Sequence, residues 1–156
     1  MNYDIFKQFD QKWALVTAGT KKDFNTMTIS WGGLGTLWSK SCATVYIKPC
    51  RYTYKYMNDN DYFTISFFGE DYREDLKILG TKSKRNGDKL SLTKLTPEFL
   101  GKAITFKEAE CTLVCKKIYY QDLDLKHIPK EIIEHYYTEE APHRMFVGEV
   151  LEIREK

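Results

Sequence analysis

The sequence has no charge excess, no long apolar run and no short motif that declares a chemistry, and each absence narrows what it encodes. Its 24 basic and 22 acidic residues leave a net charge of +2, whereas a chain dedicated to nucleic acid or to an anionic membrane surface carries a strong basic excess. Any cationic site must be local. No apolar stretch approaches the roughly 18 residues that span a bilayer. The start, MNYDIFKQFDQKW, has acids and aromatics where a secretory signal has a basic start and an apolar core. The expectation is a soluble, cytoplasmic protein without a membrane or nucleic-acid partner. Cysteine is sparse: Cys42, Cys50, Cys111 and Cys115 are too few for a small disulfide scaffold, so free thiols are expected. Internal repeats, low-complexity tracts and linkers are also missing. The 156 residues read as one domain over 1–156, a length that buries roughly two thirds of its unfolded surface.

Familiar site motifs fail as well. Gly32, Gly33 and Gly35 suggest a dinucleotide fingerprint, but its last glycine would fall at Trp38, and no Gly-Lys-Ser/Thr follows to make a phosphate loop. These glycines either permit a tight turn with positive φ after a strand or let the backbone approach a ligand closely. His127, His135 and His143 show no metal-ligand spacing with each other or with cysteine. Cys111 and Cys115, four apart on an alternating strand, sit roughly 13 Å apart, so they neither chelate one ion nor pair. No metal site is expected. No Ser, His and acid order reads as a triad and no carboxylate pair reads as an acid and base couple, so any catalysis falls to a cofactor.

What is present is aromatic and β-branched. Aromatics make up 15%, with eleven tyrosines, suited to core and interface. Extended runs occur at 12–19, 26–31, 42–48, 62–68, 103–120 (two strands meeting near 107–109) and 144–153, giving six or seven strands. In 26–31, Thr26, Thr28 and Ser30 alternate with Met27, Ile29 and Trp31, the pattern of a strand with one buried face. Helices are expected over 51–60, 71–80 and 129–137. Many strands and few short helices point to an antiparallel barrel or sandwich with helical insertions.

Two elements suit an anion. In KPCRYTYKYM, Thr53 is a plausible N-cap of the helix after Pro49, with Arg51 just outside it; a helix start and a forked cation make a phosphate seat, although on this stretch alone an ordinary cap with a solvated arginine is the favoured reading. The loop at 81–89 gathers Lys82, Lys84, Arg85 and Lys89 against Asp88. A phosphate monoester carries nearly two charges and is seldom held by one cation, so the loop could complete that seat or stay solvated. His143 beside Arg144 is either a surface histidine or a donor at a pocket rim.

Taken in order, NTMTISW, CATVYIKPCRYT, NDYFTISFF, GTKSKRNGDK and HRMFVGEVLEI resemble the flavin reductase-like family of FMN-binding split barrels, which includes the flavoredoxins. The resemblance covers roughly residues 10–155. It implies a mainly β fold with short helices, a six-stranded antiparallel Greek-key split β-barrel. It also implies a homodimer with noncovalent FMN near the interface. By position, Asn25, Met27, Thr28, Ser30 and Trp31 resemble the flavin-contacting strand and the loop after it. Arg51 and Thr53 resemble the R-x-T phosphate element, Ser83, Lys84 and Lys89 a further phosphate and ribityl contact, and His143 a histidine ahead of the last strand. Similar chains often read Ser-Gly-Arg where Lys84 and Arg85 follow Ser83 here. The stretch DLDLKHIPKEIIEHYYTEEAP (122–142) matches nothing in that pattern and could form a lid or a dimer contact.

The resemblance implies an FMN-binding oxidoreductase of the flavin reductase type. Electrons would pass from NADH, NADPH or a redox partner to a small-molecule or protein acceptor. Rival readings are a carrier without turnover, a barrel that stacks nucleic-acid bases on strand aromatics, and a structural homodimer without redox role.

Overall fold

The computed structural model describes residues 4–84 and 87–156. In chain order these form helix α1 (Asp4–Asp10), strands β1 (Ala14–Gly19), β2 (Phe24–Ile29), β3 (Gly32–Leu37) and β4 (Lys40–Ile47), helix α2 (Thr53–Asp59), strand β5 (Tyr62–Phe67) and helix α3 (Arg73–Thr81). They continue with strands β6 (Pro97–Leu100), β7 (Ala103–Phe106) and β8 (Cys111–Asp122), helix α4 (Lys130–Tyr136) and strand β9 (Arg144–Glu155). Every strand and helix read from sequence is present. The six or seven strands expected become nine, because β3 and β6 form beside the seven runs read from sequence.

Seven strands make one antiparallel sheet in the order β2-β1-β5-β8-β9-β4-β3, and β6 and β7 form a separate hairpin. The two edge strands of the large sheet, β2 and β3, are consecutive in the chain and joined only by Ser30 and Trp31. Three Cα steps of 3.8 Å cannot span more than about 11 Å, so the sheet must curl until the end of β2 stands near the start of β3. The two strands do not pair at this junction, the seam, and their outer edges have no strand partner.

The glycine-rich stretch therefore corrects the expected turn. Gly32, Gly33 and Gly35 lie within β3, paired with Val45, Thr44 and Cys42, and none has positive φ. A Cβ at Gly32 would stand 2.8 Å from the Phe9 ring and from the Thr44 carbonyl, so glycine here serves the packing of α1 on the seam. The turn comes later: Trp38 and Ser39, at φ 54° and 58°, close a two-residue hairpin of the primed type, which needs positive φ at both positions.

Core residues lie on both faces of β1. Inside the barrel, Val16, Met27, Val45, Ile65, Cys115 and Phe146 pack with Tyr56 and Met57 of α2. Outside, Leu15 packs with Leu76 and Leu79 of α3 and Phe106 of β7. Burial on both faces explains why β1, ALVTAG, shows no apolar and polar alternation. Thr26, expected to face outward, is buried because its hydroxyl pairs with that of Thr17 across the β1–β2 ladder at 2.8 Å. All four cysteines are free thiols. Burial pushes the Cys115 thiol up to about 12, too high to give a thiolate nucleophile. Among the described residues no helix is long and apolar enough to cross a membrane, and no group of three or more His, Cys, Asp or Glu is placed to hold a metal ion.

Candidate functional site

Strand β2 ends at the seam and carries the first half of the site. Near its start the Asn25 side-chain amide donates to the Thr53 hydroxyl at 2.8 Å, and both residues are buried. Thr53 is the first residue of α2, not its cap: Tyr52 occupies the N-cap position and makes no side-chain bond there. The hydroxyl is drawn inward by Asn25, which ties α2 to β2. Beside this pair the Arg51 guanidinium donates to the Gly80 carbonyl at 3.1 Å. The Lys89 ammonium donates to the carbonyls of Leu79 and Lys82 at 3.4 and 3.3 Å.

Asn25, Met27, Arg51, Thr53, Ser83 and Lys89 together line one cleft of about 180 Å³. Its electrostatics are unbalanced. Lys89 is only 6% exposed, and its protein partners are neutral carbonyls at the C-terminal end of α3. Among the described residues, neither Arg51 nor Lys89 forms an ion pair. Burial, followed by repulsion from Arg51 and Lys84, lowers the Lys89 pKa to about 8. A buried cation facing another cation is costly unless an anion joins them.

Met27 also lines a second cleft, of about 160 Å³, with Thr28, Ser30, Trp31 and His143. Both clefts border Met27, and taken together they follow β2 as one trough. From Asn25 to Trp31 it extends about 20 Å at ~3.3 Å per residue. Its far end is aromatic: the Trp31 ring meets Tyr136 edge-on at 5.3 Å and His143 at the same distance. Trp31 lies beyond the end of β2 and is 42% exposed, so it does not share the buried side of Met27 and Ile29. The Thr28 hydroxyl is already used, since it donates to the Leu76 carbonyl of α3.

The structure brings nine of the expected residues and His143 into the trough and leaves one outside. Lys84 turns into a neighbouring cleft, where its ammonium meets Asp23 at 2.8 Å, the Phe24 carbonyl at 3.0 Å and the Tyr56 hydroxyl at 3.1 Å. Burial works against the Lys84 charge, but the hydrogen bonds to Asp23 and Tyr56 outweigh it and raise its pKa. Lys84 ties the loop to β2. Arg85 lies outside the described residues.

The segment 122–142 supplies residues that sequence reasoning missed. Arg144 fixes its base with a two-pronged bond to Asp122, at 2.7 and 3.2 Å, while its guanidinium lies between the Tyr54 and Tyr120 rings. Lys48 fixes its end through the Tyr136 carbonyl at 3.3 Å and Glu140 at 2.6 Å. Between these clasps Tyr136 and Tyr137 reach Trp31 and His143. Only the tyrosine pair itself could have signalled this. His143 is 8% exposed. Burial, helped by Lys48 and opposed by Glu140, lowers its pKa to about 4, so the imidazole is neutral at neutral pH.

Comparison with known proteins agrees with this fold. Solved structures of the same fold include flavoredoxin from Methanosarcina acetivorans, with a TM-score of 0.73 and 18% identity over 100% of this chain and 74% of that one. Another is an FMN-binding protein from Thermus thermophilus with bound p-hydroxybenzaldehyde, with a TM-score of 0.74 and 16% identity over 100% and 78%. A third is the NADH:FAD oxidoreductase SgcE6 of Streptomyces globisporus C-1027 in complex with NAD and FAD fragments, with a TM-score of 0.71 and 14% identity over 97% and 79%. Neighbours of this kind are described as split-barrel domains. No curated protein matches the chain. The model of the flavin reductase like domain matches residues 6–156, nearly the whole sequence, and the chain belongs to that family.

Proposed function

We propose that this protein binds FMN noncovalently along β2 and acts as an oxidoreductase of the flavin reductase type. It would pass electrons from NADH, NADPH or a redox partner to a small-molecule or protein acceptor. One observation carries the reading: Arg51 and the buried Lys89, two cations without a carboxylate partner among the described residues, stand at one end of a trough whose other end is aromatic. That polarity matches a flat ring joined by a polar chain to a phosphate. Arg51 and Lys89 bind the phosphate by charge-assisted hydrogen bonds, with Ser83 beside them. The Asn25–Thr53 pair holds the middle of the trough. Met27 and Trp31 offer apolar surface to the ring, and the unpaired backbone of the seam offers donors and acceptors to its edge. The bound flavin supplies the one- and two-electron chemistry that no side chain here provides.

An Arg51→Ala chain loses about tenfold more affinity for FMN than for riboflavin, read by fluorescence titration, because one charge-assisted bond to the phosphate is gone. Equal weakening of both ligands places the phosphate elsewhere. Enzyme and carrier are separated by anaerobic stopped-flow mixing of the FMN-loaded protein with NADH and with NADPH. Rapid bleaching of the flavin band by either one supports a reductase, and none with both leaves a carrier.

The partner proposed is a second copy of the chain, as the resemblance implies. Leu34 and Leu37 of β3, Tyr119 and Tyr120 of β8, and Leu151 and Ile153 of β9 are all exposed, and β3, β4, β9 and β8 are neighbours in one sheet. Exposed apolar side chains on neighbouring strands are what an interface with that copy would bury. Replacing both Leu151 and Ile153 by Glu halves the mass seen by light scattering; a wild type that runs as a single chain overturns the dimer.

A further inference from the structure

The only side-chain hydrogen bond by which the segment 122–142 reaches the aromatic end of the trough, among the described residues, joins the Tyr137 hydroxyl and Nδ1 of His143 at 2.7 Å. Both partners are held. The Tyr137 ring stands edge-on to the imidazole at 5.6 Å, with the Lys48 ammonium 5.6 Å from its own centroid. Trp31 lies 5.3 Å from the imidazole. A phenol hydroxyl is a strong donor and a weak acceptor, whereas the lone pair of a neutral imidazole is a strong acceptor. His143 is neutral near pH 7, because its pKa lies at about 4. A neutral imidazole carries its one proton on the nitrogen that is not accepting.

We propose that Tyr137 is a positioning residue: by donating to Nδ1 it fixes His143 as the Nε2–H tautomer, making the imidazole a donor to a carbonyl oxygen at the edge of a flat ligand held beside Trp31. The identity of that ligand rests on the flavin reading; the tautomer does not. Without the Tyr137 hydroxyl the two tautomers exchange, and one of them turns a lone pair on Nε2 toward the ligand's carbonyl oxygen, where it repels. Segment 122–142 thereby sets the hydrogen-bond polarity of the ring end, a role distinct from covering it.

The test uses the flavin-free chain labelled with ¹⁵N at histidine, with His143 assigned by a His143→Gln chain. Long-range proton–nitrogen spectra at pH 7 separate a pyridine-type nitrogen from a pyrrole-type one. The expected result is Nδ1 pyridine-type and Nε2 pyrrole-type in the wild type, and both nitrogens at averaged positions in Tyr137→Phe, which keeps the ring packing. A pyrrole-type Nδ1 in the wild type, or identical spectra in the two chains, overturns the proposal. If the Phe chain does not fold, the wild-type spectrum decides alone. In flavin titrations, Tyr137→Phe weakens FMN and riboflavin alike by about fivefold, the worth of one ordinary hydrogen bond at the ring. Unchanged affinity for both, in a wild type that binds them, overturns the donor role. A fixed tautomer in a wild type that binds no flavin refutes the flavin reading and leaves the tautomer assignment standing.

Discussion

A Lys89→Met chain binds FMN about 100-fold more weakly than the wild type, keeps its affinity for riboflavin, and is the more stable protein when flavin is absent. The two opposite effects share one cause. Lys89 is almost wholly buried, its bonds to the Leu79 and Lys82 carbonyls are long, and its charged neighbours are Arg51 and Lys84. Its charge therefore costs the empty protein stability and is repaid only when a phosphate arrives. Methionine fills similar space without a charge, so unfolding of the flavin-free protein shifts upward by about 1 kcal/mol.

The pH dependence has a definite sign. Lys89 has a pKa of about 8 in the folded chain against 10.5 for the free side chain. The unfolded state thus binds more protons between these values, and flavin-free stability rises with pH across that window. The Met chain loses this rise. FMN binding runs the other way: the phosphate favours the charged ammonium, so affinity is steady below pH 8 and falls above it, by up to about tenfold per pH unit. Denaturant melts and FMN titrations of both chains from pH 7 to 10 check each point. Equal loss of FMN and riboflavin, or no stability gain, would show that Lys89 faces a different partner.

The second large effect is on the fold. Phe146→Ala lowers stability by about 4 kcal/mol and the melting temperature by roughly 10 °C. Phe146 is fully buried in β9, between the ladders to β4 and β8, with Tyr54 and Tyr120 rings each 6.4 Å away. Its loss opens a cavity where three strands meet, and the neighbouring Gly148 cannot fill it. A Cβ there would already stand 2.6 Å from the Phe63 ring and 2.8 Å from the Cys115 Cβ. The same deletion removes the floor under Tyr54 and Tyr120, which hold Arg144 and so the base of segment 122–142. Thermal melts measure the first effect. The second appears as faster proteolysis of that segment, and a melt unchanged within 1 °C contradicts the packing described.

Most strands were legible because β-branched and aromatic runs suit half-buried or buried pleated surface and little else. Strand β3 was not, because three glycines signal a turn, whereas here the β4 partner supplies the extended conformation and Phe9 needs the space at Gly32. Strand β6 begins at a proline and is only four residues long, too short to show a period. At the site, residue type and order singled out Arg51 and Lys89, which line one cleft. Residue type could not say which lysine of 82–89 turns inward: Lys84 and Lys89 are chemically alike, and only the path of the loop brings one to Asp23 and the other beneath α3. Tyr137 stayed hidden for a related reason. Its meaning depends on a contact with His143 made when two clasps, at Asp122 and Lys48, fold the intervening chain back on the seam.

The most direct measurement is the titration of flavin-free protein with FMN, followed by the visible band and the quenching of flavin fluorescence. A red-shifted, resolved band saturating at one FMN per chain, bound more tightly than riboflavin, is the predicted result. A protein that leaves the FMN spectrum and fluorescence unchanged at saturating concentration contradicts it.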